Sequence, residues 1–170
     1  YGIRSVTVPF YATSSEAQIS YMINDADIRY VFVGEQYQYD TAYRVLSLCP
    51  TMQKLIIFDR SVKKNQQDSA SIYFDEFLAL AEGASYEAEK EARMEKFDPD
   101  ELADILYTSG TTGVSKGVML THRMYHDALI ANDEVLTLSE KDVALDFLPF
   151  THVFERAWSY LVLSEGAQLA

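Results

Sequence analysis

One cysteine, Cys49, stands in 170 residues, so no intramolecular disulfide framework staples this chain; a reducing, cytoplasmic setting is the expectation. Basic residues are scarce: 14 Lys and Arg face 26 Asp and Glu, for a net charge of −12. That field repels nucleic acid and anionic lipid, and no Arg-rich arm or basic stripe offsets it, so no nucleic-acid partner is expected. No run approaches the ~20 apolar residues of a spanning helix, and no signal peptide is visible. Also missing are a G-x-G-x-x-G after the first strand-like run, a G-x-x-x-x-G-K-[ST] loop, and a Ser-His-Asp or Cys-His set with defensible spacing. The chain opens on YGIRSVTVP without a methionine and closes on GAQLA after an apolar run, as if cut from something longer. What is present is ordinary globular composition: 48% hydrophobic and 24% charged, with 12 Tyr and 9 Phe to fill a core. Residues 1–170 are read as a single partial domain, with 59–71 and 82–98 as surface segments.

Hydrophobic periodicity places the elements. Residues 5–10 (SVTVPF) predict a short strand. Thr13 or Ser15, with Glu16 or Gln18 three residues on, predicts a capped helix whose apolar face carries Ile19, Met22, Ile23 and Ala26. Residues 30–33 predict a buried strand closed by Gly34. Residues 36–48 predict a second helix with Tyr39, Ala42, Tyr43 and Leu46 on one side, and 54–58 (KLIIF) another strand. Cys49, at the end of that helix, is expected to be buried filler. Strand, helix, strand, helix, strand predicts an α/β fold with a largely parallel sheet and flanking helices.

Residues 61–71 turn polar and lose periodicity; 72–74 predict a brief pairing, then Asp75 caps a short helix stopped by Gly83. Acids crowd residues 82–101, where a solvated helix face with pairs such as Glu89–Arg93 is expected. Thr121 caps a helix to Leu136 whose apolar line of Met124, Ala128, Ala131 and Val135 predicts burial. His122 and His126 lie four apart on it, but Arg123 stands where a zincin requires glutamate, so capping and packing roles are expected. Residues 143–148 (VALDFL) predict a strand ending at Pro149, with polar residues beyond it where open α/β sheets place ligands, and 158–163 predict a helix ended by Gly166.

Chemistry concentrates in residues 108–117, TSGTTGVSKG. Thr108, Ser109, Thr111, Thr112 and Ser115 carry hydroxyls, and Gly110, Gly113 and Gly117 free the backbone. Lys116 adds a mobile positive charge. Main-chain N–H groups, small hydroxyls and one lysine make a cradle for a polyphosphate, of which a nucleotide triphosphate is the natural occupant. Strand-like runs at 102–107 and 118–120 flank the loop, so a hairpin-like phosphate loop between two strands is predicted, without a helix dipole behind it.

Residues 107–122 (YTSGTTGVSKGVMLTH) closely resemble the signature of the adenylate-forming acyl-activating enzymes, the AMP-binding superfamily. Residues 148–158 (LPFTHVFERAW) resemble the next motif of that family, and 9–15 (PFYATSS) and 33–40 (VGEQYQYD) resemble long-chain fatty-acid–CoA ligases more narrowly. The pieces span nearly the whole chain in family order. This resemblance implies a partial N-terminal domain of the adenylate-forming enzyme fold. It also implies a reaction: a carboxylic acid, here a long-chain fatty acid, is joined to AMP with release of pyrophosphate, then passed to coenzyme A. ATP, Mg²⁺ and coenzyme A are the implied cofactors. By the same resemblance Thr108, Ser109, Gly110, Thr111, Thr112, Gly113 and Lys116 hold the β- and γ-phosphates, and Thr108 offers the hydroxyl for Mg²⁺. Lys116 and His152 are the implied catalytic residues, His152 lying near the α-phosphate and the acyl carboxylate. Phe154 and Trp158 line the acyl side or pack in the core.

The family's adenine-stacking stretch, ribose aspartate, hinge and lysine-bearing C-terminal domain have no counterpart in these residues. A piece of the large N-terminal domain, inactive without the missing remainder of a parent chain, is therefore expected. A non-catalytic phosphate-binding module, an adenylation domain for another carboxylic acid, and a plain α/β interaction domain stay as alternatives. Peripheral membrane contact of the parent enzyme stays open.

Overall fold

The computed structural model describes residues 2–108 and 114–170. They form two compact units, one of Ala12–Glu87 and one joining Tyr1–Tyr11 to Ala88–Ala170.

The Ala12–Glu87 unit is a three-stranded parallel sheet with helices. Helix α1 (Glu16–Asp25) begins at Ser15, whose hydroxyl accepts from the Gln18 N–H while Gln18 Oε1 accepts from the Ser15 N–H. That reciprocal box satisfies two of the donors a helix start leaves open. Ile19, Met22 and Ile23 are its buried face. Strand β1 (Tyr30–Val33), helix α2 (Gln36–Val45) with a 3₁₀ turn at Leu46–Leu48, and strand β2 (Lys54–Ile57) follow, then strand β3 (Ser71–Tyr73) and helix α3 (Phe74–Ala79). β2 is central, pairing in parallel with β1 (Val31↔Leu55) and β3 (Ile56↔Ile72). A strand covered on both faces reads as a continuous apolar run, and Leu55, Ile56 and Ile57 are all fully buried. β1, at the sheet edge, corrects the expectation of a wholly buried strand: Val31 and Val33 are buried, Tyr30 and Phe32 exposed. Asp75 lies in the first turn of α3 rather than capping it; the Glu76 carboxylate takes the Tyr73 N–H instead. Cys49 is buried, as its position after a helix suggests.

The second unit opens with Thr7. The predicted strand at residues 5–10 reduces to one bridge, in which the Thr7 N–H donates to the Ala103 carbonyl and the Ile105 N–H to the Thr7 carbonyl, 3.0 Å each. Pro9 has no N–H to extend it. The first strand of the sequence-level alternation thus pairs with β4, not with the parallel sheet. Helix α4 (Glu87–Glu95) buries none of its residues and carries the expected Glu89–Arg93 pair at 2.5 Å. Strands β4 (Leu102–Thr108) and β5 (Lys116–Thr121) form an antiparallel hairpin that closes with Thr108 opposite Lys116. An extra residue on β4 shifts the register between Leu102 and Asp104, a bulge at the strand's entry.

Helix α5 (His122–Leu136) starts on the Thr121 hydroxyl, which accepts from the Met124 N–H. Its predicted burial is not observed. Tyr125 is the buried residue along it, edge-on to the Tyr160 ring at 5.3 Å, while Met124 and Val135 are 53% and 77% exposed. The apolar line is real, but this unit covers a different side of the helix. Strand β6 (Val143–Ala144) is shorter than predicted and pairs in parallel with β7 (Gln168–Leu169). Beyond it the Asp146 N–H still reaches the Ala170 carbonyl at 3.0 Å, and the Phe147 N–H turns to the Glu155 carboxylate, 2.9 Å away. Helix α6 (Val153–Ser164) starts five residues before the predicted 158. Val162, Ala144 and Ala167 make a small core with Trp158 and Leu169.

Gly117 sits opposite Tyr107 in the hairpin, and a Cβ there would lie 2.8 Å from Ile105 Cγ2. Its lack of a side chain is a packing requirement of the hairpin. Gly117→Ala is expected to lower stability by about 1–3 kcal/mol through overpacking, read as a fall in the urea midpoint; an unchanged midpoint would show that Ile105 moves aside freely.

Candidate functional site

Of the predicted cradle, the hairpin carries the two ends, Thr108 and Lys116. Thr108 ends β4 and Lys116 begins β5, paired in register and both exposed. Side chains alternate along a strand, so Thr108 shares its face of β4 with Leu106 and Asp104. Ser109, Gly110, Thr111, Thr112 and Gly113 lie outside the described residues. The loop therefore runs between two strands, as its flanking apolar runs indicate, and its ends offer a hydroxyl and an ammonium at a common edge.

His152 is the N-cap of α6. Its Nδ1 accepts from the Phe154 N–H at 3.3 Å, so a neutral ring carries its proton on Nε2. Phe154 is 60% exposed, whereas Trp158 packs against the small core and donates its indole N–H to the Leu145 carbonyl at 3.3 Å. Of the two aromatic residues, Trp158 has the structural role. His122 stacks edge-on to Phe97, which fits a packing role, whereas the His126 side chain is exposed and contacts Asp127 at 3.3 Å, so the expected packing role is not seen for it. Among the described residues no group of three or more His, Cys, Asp or Glu is arranged to hold a metal. Magnesium would have to be held by the phosphates themselves with a hydroxyl such as that of Thr108, which the donor set here fits.

Between β4 and α6 lies a feature that sequence reasoning missed. Arg156 Nη1 donates to Asp104 Oδ1 at 2.9 Å, with side chains only 5% and 0% exposed. The Thr7 hydroxyl donates to the same carboxylate oxygen and accepts from Arg156 Nη1 at 3.2 Å. Arg156 Nη1 also reaches the Tyr160 hydroxyl at 3.2 Å, Nε donates to the Phe150 carbonyl at 3.3 Å, and the guanidinium lies over the Phe150 ring at 4.5 Å. Removing one partner from such a buried pair costs about 3–5 kcal/mol, because the other charge is left dry and alone. The available signal was Asp104 inside the apolar run LADILYT, since a buried carboxylate demands a cation.

The family model for AMP-binding enzymes matches residues 1–170. The chain belongs to the AMP-binding enzyme family. The chain is 30% identical over 176 residues to long chain acyl-CoA synthetase 5 of Arabidopsis thaliana, covering 95% of the chain and 25% of that protein. It is 26% identical over 170 residues to long-chain-fatty-acid–CoA ligase 1 of Cavia porcellus, covering 96% and 24%. The chain thus spans about a quarter of the length of these curated relatives. ATP-bound MatB from Rhodopseudomonas palustris shares the fold at a TM-score of 0.68 and 23% identity, over 96% of this chain and 29% of that one.

A second buried polar group braces the segment before His152. Glu155 is 1% exposed and takes the Phe147 N–H. A hydrogen bond with the Asp146 carboxyl, then burial, hold its carboxyl above the ordinary glutamate value of 4.5. Asp146 also accepts from the Ser159 hydroxyl at 2.8 Å. A raised folded-state value means that protonated Glu155 favours the fold: the contribution is full below pH 4.5 and is lost as pH rises through the folded value. Glu155→Gln, neutral at every pH and able to donate to Asp146, is expected to melt higher than wild type at neutral pH. The gap should close toward pH 4.5. A gap that stays constant across that range in thermal melts would contradict the shared proton.

Proposed function

We propose that this chain is the phosphate-holding part of a longer ATP-dependent acyl–CoA ligase that activates a long-chain fatty acid. The observation that carries the reading is the hairpin closing with Thr108 opposite Lys116 around a Gly/Ser/Thr loop, in a chain of the AMP-binding family. The names of the curated relatives support the acyl substrate and the ligase class.

In this reading the β- and γ-phosphates of ATP sit against loop N–H groups, the hydroxyls of Thr108, Ser109, Thr111 and Thr112, and the Lys116 ammonium. A fatty carboxylate oxygen attacks the α-phosphorus, the P–O bond to the β-phosphate breaks, and acyl-AMP and pyrophosphate form. The coenzyme A thiolate then attacks the acyl carbon and AMP leaves. Lys116 and the loop N–H groups offset the charge that gathers on pyrophosphate as the bond breaks. His152, with its proton on Nε2, donates toward the α-phosphate or acyl oxygen. Magnesium, when bound, neutralises part of the triphosphate charge beside Thr108. The overall charge of −12 opposes the approach of ATP, so affinity has to come from these local donors. Adenine, ribose and coenzyme A contacts belong to the remainder of the parent protein, and activity requires it. Cys49, buried and single, suits the cytoplasmic setting of this proposal.

In the full-length protein, Lys116→Ala and Thr111→Ala are each expected to slow fatty-acid-dependent ATP–pyrophosphate exchange by about 10²-fold, the loss of one well-aimed donor. Their melting temperatures should stay near wild type. Wild-type exchange in both variants would reject the cradle.

A further inference from the structure

The two segments that carry the proposed chemistry sit on elements joined by no strand pairing. Thr108 is at the end of β4 and His152 at the start of α6. Asp104 lies four residues before Thr108, about 13 Å along the strand, and Arg156 four residues after His152, about 6 Å along the helix. The buried pair between them is thus the polar link from the loop's strand to the helix that carries His152. Its burial sets it apart from the ion pairs elsewhere on this unit. Arg4–Glu101 and Arg123–Asp100 have side chains from 32% to 63% exposed, where solvent leaves such pairs worth little.

A dry ion pair is a poor device for stability alone, since well-packed apolar residues of the same volume often serve as well or better. It is a good device for register. β4 enters the hairpin through a bulge, and a slip of one residue would turn every side chain of the strand to its opposite face. Only one register puts Asp104 against Arg156 and the Thr7 hydroxyl, and that register also decides the face on which Thr108 stands. Arg156 is itself aimed from several sides, by the Phe150 carbonyl and ring and by Tyr160.

We infer that Asp104 and Arg156, bridged by Thr7, are positioning residues that hold the phosphate loop and His152 in one frame. The inference rests on the ligase reading above. It makes the pair matter to alignment of the reacting groups, with little bearing on capture of ATP, because neither side chain belongs to the cradle.

The test uses the full-length protein, with ATP–pyrophosphate exchange driven by a long-chain fatty acid and thermal melting measured on the same samples. Arg156→Lys keeps the charge but loses the planar fork. It is expected to lower kcat about 10–100-fold, the scale of an ångström-sized misplacement, with the KM for ATP within about 3-fold of wild type. Thr7→Val leaves the ion pair whole and removes the shared hydroxyl; a drop of about 3–10-fold in kcat with little change in melting temperature is expected. Val162→Ala, a core truncation on the same helix, serves as the structural control: its melting temperature should fall while the folded enzyme keeps its kcat. Folded Arg156→Lys with wild-type kcat would overturn the inference. If that variant does not fold, Thr7→Val decides, and wild-type kcat there overturns it equally. If the wild-type protein shows no exchange with any fatty acid, the ligase reading fails and takes this inference with it.

Discussion

A carboxylate and a guanidinium shut away from water organise the unit that holds the candidate site. Asp104 and Arg156 arrive from positions 52 residues apart, and Thr7 joins them from a further 97 residues away. Three separate stretches of chain meet at one charge pair, and each brings its own commitments. Thr7 brings a backbone bridge on both sides of Asp104; Asp104 brings the strand that feeds the loop; Arg156 brings the helix that begins at His152. Charges in a dry interior tolerate few alternative geometries, because every misfit leaves an unpaired ion. Hydrophobic packing around Val162 and Trp158 supplies adhesion for the helix, but it is compatible with small slides that the ion pair does not allow.

The proposed site would work against the protein's own field. A chain at −12 that is proposed to handle a tetra-anionic nucleotide would have to concentrate its few favourable groups, and in that proposal the Gly/Ser/Thr loop does so with donors that add little formal charge. Backbone N–H groups and hydroxyls are available wherever a glycine-rich turn can fold inward. Lys116 is the cation the turn supplies, at its second edge, opposite the Thr108 hydroxyl. Gly117 is needed for the close approach of Ile105 and Tyr107, a structural demand on a residue of the same motif as the proposed phosphate-binding residues.

Local chemistry was legible from residues alone. The Ser15–Gln18 box, the run KLIIF as a strand, the Thr121 cap and the loop between two strands all follow from spacing and side-chain type. Long-range pairing was not. Nothing near Thr7 tells that its partner is Asp104 rather than a neighbouring strand, and nothing within residues 145–148 tells that the Phe147 N–H will go to Glu155. The apolar line on α5 shows the opposite error: periodicity reports which face is greasy, but burial depends on what else is packed there. The roles of Ser109 to Gly113 rest on the sequence and on the hairpin that frames them.

Adenosine triphosphopyridoxal, an ATP-like polyphosphate ending in an aldehyde, probes the central claim directly. The aldehyde forms an imine with a lysine beside the terminal phosphate, borohydride fixes it as an amine, and peptide mass spectrometry locates it. In the full-length protein, labelling at Lys116 that MgATP suppresses is the predicted result. A Lys116 that stays unlabelled, or that labels equally with and without MgATP, would contradict a polyphosphate site at this hairpin.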